Sequence, residues 1–159
     1  MFKKIAFAAP LAVLALSSSM AFAATEARHN ISLVATVNAD DFYAVPVDSD
    51  LVNKDQDMSY NPSTNSMRTV DGFFDVLHTA GKVNARLEGI PKLIAGNKSI
   101  DLKVELNGKA LTTTSQEVVG DEESNTRYRA PFKISAVTTQ KPDAGDYTGV
   151  VMLVVEPSV

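Results

Sequence analysis

The chain has no cysteine and no tryptophan among its 159 residues. The first absence excludes disulfides, thiol nucleophiles and thiolate metal ligands. An exported form must then be held by packing or by a partner, unlike many small secreted domains. The second absence removes the usual platform for sugar stacking. Histidine is scarce too: His29 and His78 are the whole supply. Neither has spaced carboxylate partners, and a metal site needs three or four converging ligands. The acidic clusters Asp40-Asp41 and Asp121-Glu122-Glu123 lack the staggered spacing and central glycine of a calcium loop. No nucleophile elbow, phosphate-cradling loop or dinucleotide fingerprint is present. Glu122 and Glu123 are adjacent, so on a strand they would point to opposite faces and could not act on one bond together. These gaps predict no enzyme, no metal and no cofactor. The formal charge of −4 comes without a basic stripe, which argues against a nucleic-acid partner.

What is present begins with a leader. Lys3 and Lys4 precede an apolar run over residues 5–16, and Ala21-Phe22-Ala23 forms a small-x-small site that predicts cleavage before Ala24. The run is shorter than the roughly 20 residues of a membrane-spanning helix, and no later stretch qualifies. Residues 1–23 therefore read as a secretory signal peptide. Its removal takes 23 of 159 residues, leaves 136, and moves the formal charge from −4 to −6. That length is one domain with a sizeable core.

The mature chain reads as short strands separated by turns. In residues 30–38, Ile31, Leu33, Ala35 and Val37 share one face, and Ser32, Val34, Thr36 and Asn38 the other, the alternation of a half-buried strand. Pro46 demotes residues 42–47 to an edge or irregular piece. Residues 48–57 read as a loop or short strand, 58–60 as a short alternating run, and Asn61-Pro62-Ser63-Thr64-Asn65 as a turn. Strands are predicted over 66–79 and 82–88, and residues 90–94 form a short apolar crossover. Ile100, Leu102, Val104 and Leu106 give the cleanest alternation, followed by Asn107-Gly108, a type I′ turn signal, with residues 109–114 returning as partner. Residues 120–125 read as an acidic loop. The strand over 127–137 places Ala130, Phe132, Ile134 and Ala136 on one face, with Pro131 marking an edge or bulge. Residues 147–155 are the most apolar run and read as a strand buried on both faces and ended by Pro157. About seven to nine strands without helical periodicity predict an all-β immunoglobulin-type sandwich, with a small barrel as the alternative.

Several of these stretches together resemble the major pilins of class 5, or alternate chaperone–usher, fimbriae, the colonisation-factor-type pili of Gram-negative enteric bacteria. The opening Asn30-Ile-Ser-Leu-Val-Ala-Thr-Val is similar to the start of the mature pilins. Met58-Ser-Tyr-Asn-Pro-Ser resembles their central segment, and Leu106-Asn-Gly-Lys-Ala-Leu-Thr-Thr-Thr their hairpin. Ala144-Gly-Asp-Tyr-Thr-Gly-Val-Val-Met-Leu-Val-Val resembles their C-terminal strand. With the leader, the resemblance spans essentially the whole chain in order. One departure is Ala39, where the best-known members have a proline.

The resemblance implies an incomplete immunoglobulin-like β-sandwich over residues 39–159, completed by the N-terminal strand of a neighbouring subunit. Residues 24–38 would be the donor-strand extension, presenting Ile31, Leu33, Ala35 and Val37. In the terminal strand, Tyr147, Val150, Met152 and Val154 are the candidates for the receiving groove. The implied protein is the major structural subunit of an adhesive fimbria, exported through the periplasm to the cell surface. Its implied partners are further copies of itself, a periplasmic chaperone, an outer-membrane usher and a tip adhesin subunit. A host-cell glycan or receptor is a further partner that the family allows. Tip adhesins of this family are about twice as long, so this length fits the shaft. The other reading takes 31–37 as the first strand of a self-contained sandwich, a monomeric secreted or periplasmic module binding a carbohydrate or protein.

Overall fold

The computed structural model describes residues 41–138 and 140–159. The leader, the strand expected over 31–37 and His29 lie outside the described residues. The rest is all-β and antiparallel. A large sheet runs in the order β1 (Phe42–Pro46), β4 (Val70–His78), β10 (Tyr128–Val137), β7 (Lys98–Leu106) and β6 (Lys92–Ala95), with β8 (Lys109–Ala110) beside β7. A smaller sheet is ordered β11 (Leu153–Ser158), β5 (Lys82–Leu87), β9 (Gln116–Val119). β2 (Tyr60–Asn61) and β3 (Ser66–Met67) form a short ribbon, and α1 (Asp50–Asn53) and α2 (Asp121–Ser124) are single turns.

The sheets pack face to face through the apolar halves of their alternating strands. Val76, Val104, Leu106 and Ala130 of the large sheet meet Val83, Ala85, Leu87, Val118 and Val119 of the small one, all buried. Phe74 and Phe132 pack edge to face, centroids 5.3 Å apart. The Asn107-Gly108 turn has φ of 51° and 74°, as a type I′ hairpin requires. Asn107 also ties the sheets together: its Nδ2 donates to the Val118 carbonyl (2.7 Å), and Tyr128 donates to its Oδ1 (3.1 Å). Lys109–Ala110 returns along β7, and the Leu111 N–H adds one bond to the Val104 carbonyl (2.8 Å) before the chain crosses to the small sheet as β9.

Several expectations are corrected. Pro131 marks neither an edge nor a bulge but sits in β10, between β4 and β7. Its carbonyl accepts from the Asn107 N–H (2.7 Å), so its nitrogen faces the turn, one residue past the last paired couple Phe132–Leu106. The missing donor therefore falls where the ladder has ended. Residues 147–155 are not one strand buried on both faces. Thr148 bridges to Ile94 of the large sheet, the chain then crosses between sheets, and β11 begins only at Leu153. Val150 is 80% and Met152 53% exposed. Pro157 does not end β11, which runs to Ser158. The acidic segment forms α2, where Glu123 accepts from the Gly120 N–H (3.1 Å) and the buried Ser124 hydroxyl lies 2.6 Å from the Gly81 carbonyl. The loop over 48–57 contains α1, and the crossover over 90–94 forms the edge strand β6.

Asp75 is a buried charge among the described residues. It alternates out of phase with Phe74 and Val76 and is covered by Arg127 and Arg129. Arg129 Nε donates to Oδ1 (2.9 Å) and Arg127 Nε to Oδ2 (2.9 Å). These bonds, Arg129's first, hold the carboxyl at about 2, against a burial effect that raises it. A lowered folded pKa stabilises above the unfolded value near 4, and that contribution fades as pH falls towards 2. The stability gap between the native chain and Asp75→Asn is expected to be widest at neutral pH and to shrink from about pH 4 downwards. Denaturant unfolding across that range measures it, and a gap independent of pH contradicts it.

Candidate functional site

The inner face of the large sheet is wider than the small sheet that packs on it. Past the shared core lies an apolar groove of about 910 Å³. Its floor consists of inward residues of three adjacent strands: Val70 and Phe74 of β4, Phe132 and Ile134 of β10, and Ile100 and Leu102 of β7. The alternation in β7 and β10 puts these side chains on the face that also carries the core. Along one side run Val151 and Leu153, entering and beginning β11. The rims are two irregular segments, one running from Leu51 to Tyr60 and the other from Lys141 to Val150. They approach each other where the Lys141 ammonium lies over the Tyr60 ring, 5.7 Å from its centroid.

The rims are shaped by local chemistry. Asp57 holds the Ser59 N–H (2.9 Å) and pairs with Arg68 (3.4 Å). Tyr60 donates to Asn65 across the β2–β3 turn. On the other rim Tyr147 donates to the Asp143 carbonyl (3.1 Å), and Lys98 donates to the Ala144 carbonyl (3.1 Å). Ile94 and Thr148 exchange two backbone bonds (2.8 and 3.0 Å), which cover the outer edge of β6. Gly149 makes that approach possible, since any Cβ there would run into the Lys92 carbonyl.

Of the terminal residues singled out in the sequence, Tyr147 and Val150 line the groove. Met152 is half exposed and Val154 lies on β11, and neither lines it. Val151, Leu153 and Val155 are the residues of this run that pack against the core. The run Val150-Val-Met-Leu-Val-Val is apolar at every position, so alternation gives no phase there. The floor residues of β7 and β10 were legible as a buried face, but nothing in their pattern separates a covered face from an open one. Ile31, Leu33, Ala35 and Val37 lie outside the described residues.

Nothing in the groove suits bond chemistry. It is lined mainly by hydrocarbon, with its charges, Lys54, Asp55, Asp57, Lys141, Asp143 and Asp146, confined to the two rim segments. His78 is buried away from it, with Nδ1 2.9 Å from the Lys82 carbonyl and Phe42 edge-on at 5.8 Å. Among the described residues no group of three or more His, Asp or Glu could hold a metal ion. A groove with an apolar floor is suited to an extended segment with one apolar face.

The sequence matches the family model of CS1 type fimbrial major subunits over residues 27–156. Comparison with curated proteins returns no match. Among solved structures the chain is similar to the CooA pilin subunit from enterotoxigenic Escherichia coli, with a TM-score of 0.54 and 20% identity. The likeness covers 71% of this chain and 86% of that one, and at that identity it speaks to the fold.

The groove rim depends on the close approach at Gly149. Gly149→Ala is expected to break the Ile94–Thr148 bridge and to cost about 1–3 kcal/mol, the usual range for overpacking. Thermal melting measures it, and an unchanged midpoint contradicts the rim geometry.

Proposed function

The chain belongs to the CS1 type fimbrial major subunit family, and from that premise we propose that the groove seats the N-terminal strand of a neighbouring copy. The protein is a structural subunit of a surface fimbria and not an enzyme. The observation that carries the proposal is the groove itself, an apolar hollow of about 910 Å³ floored by three strands. Its proposed occupant is residues 31–37, with Ile31, Leu33, Ala35 and Val37 turned down towards Phe74, Ile100, Leu102, Phe132 and Ile134. Burying Ile31, Leu33 and Val37 contributes roughly 1.5–3 kcal/mol each, and Ala35 less. Main-chain bonds along the edge of β11 add to this and orient the strand.

In this reading residues 1–23 are removed on export, 24–38 form the donor extension and 39–159 the receiving domain. Each copy gives its strand to one neighbour and receives one from another. Such a heterologous contact does not close on itself and extends into a fibre. An open groove on a lone subunit needs a temporary occupant, which supports a periplasmic chaperone, with an outer-membrane usher and a tip adhesin subunit completing the assembly. No residue of the described chain singles out a host glycan or receptor site.

Replacing Leu33 by Asp places a carboxylate in a trough with no cation on its floor. Burial of an unpaired charge costs several kcal/mol. The Leu33→Asp chain is therefore expected to be exported and folded while fibre yield falls by about a hundredfold or more. Electron microscopy and native gels of surface extracts read this out, and normal fibres would falsify the assignment.

A further inference from the structure

The edge of β11 away from β5, which meets the groove at Leu153, carries one gap in its row of hydrogen-bond donors. The Glu88 N–H donates to the Met152 carbonyl (3.0 Å), and the pairing of β11 with β5 continues from that couple in steady register to Ser158. In an antiparallel ladder successive residues turn their N–H and C=O groups to opposite sides. Met152, Val154 and Glu156 therefore bond towards β5, and Leu153, Val155 and Pro157 present theirs to the opposite edge. Among the described residues that edge has no strand beside it. Leu153 and Val155 offer both a donor and an acceptor there, and Pro157 an acceptor alone.

We propose that Pro157 is the register stop for the strand that adds to β11, an inference that rests on the donor-strand reading. The strand over 31–37 needs such a stop. A slip of one residue would turn Ser32 and Thr36 into the trough, so alternation forbids it. A slip of two keeps the apolar face down and is invisible to alternation. Such a slip towards the end of β11 brings a carbonyl of the incoming strand against the Pro157 ring, where no donor meets it. Pro157 thus positions the partner strand without touching the groove floor. Pro46 has the same property on β1, because Val47 donates to Phe73 (2.9 Å) and residues 42, 44 and 46 face outwards. No residue of β1 lines the groove, so Pro46 serves as a control.

The chain has no cysteine, so every cross-link reports an introduced pair. Full-length chains carrying Val155→Cys together with Leu33→Cys, Ala35→Cys or Val37→Cys are assembled into fimbriae and oxidised. With Pro157 in place one of the three pairs is expected to dominate. In Pro157→Ala, and in Pro157→Val as a second variant, a pair two residues away is expected to gain about tenfold, the shift one backbone hydrogen bond supports. Pro46→Ala leaves the pattern unchanged. The same single pair in all backgrounds overturns the register stop and leaves the donor strand standing. No cross-link in any background, with fibres formed, overturns the donor strand itself.

Discussion

A three-stranded sheet packs on a six-stranded one, and the mismatch in width governs the rest of the molecule. Where the small sheet lies, Val83, Ala85, Leu87, Val118 and Val119 close a dry core. Beyond it, the same strands that build the core keep their apolar phase, since a strand cannot change face without a bulge. Val70, Ile100, Leu102 and Ile134 are thus apolar for the same reason as Val104 and Leu106, yet they line a groove. The groove and the core are two ends of one sheet face.

What surrounds the groove makes it usable. The segment over 147–149 closes the outer edge of β6 through the Ile94–Thr148 bridge, and Gly149 lets the backbones meet. The outward edge of β11 keeps its main-chain groups unpaired among the described residues. Unpaired edges invite non-native pairing, and prolines are a common protection. Pro46 and Pro157 both turn their missing donors outwards, so each protects an edge at no cost to its own sheet. On the outer face, Asp75 with Arg127 and Arg129 fixes β4 against β10 without drawing on the apolar side.

The fold class was legible in the sequence because its signals are local. Strict alternation in 98–106 and the Asn-Gly turn gave β7 and its hairpin, and the face Ala130, Phe132, Ile134 and Ala136 gave β10. Proline was misleading wherever its effect depended on which way the nitrogen points. Pro131 sits mid-sheet because its nitrogen faces the end of a ladder, and Pro157 lies within a strand because its nitrogen faces an edge. Neither direction is encoded locally. The groove was half legible. Its floor residues announced a buried face, but its extent depends on how far β11, β5 and β9 reach across the large sheet. The all-apolar run 150–155 hid which of its residues turn inwards, and Val151 and Leu153 emerged only from the packing.

A helical reconstruction of the assembled fimbria tests the central claim most directly. The account predicts density for residues 31–37 of one subunit lying in the groove of the next, beside β11 and above Phe132, Ile134 and Leu102. A groove filled by the same chain's own N-terminal segment, or left empty within the fibre, would contradict it.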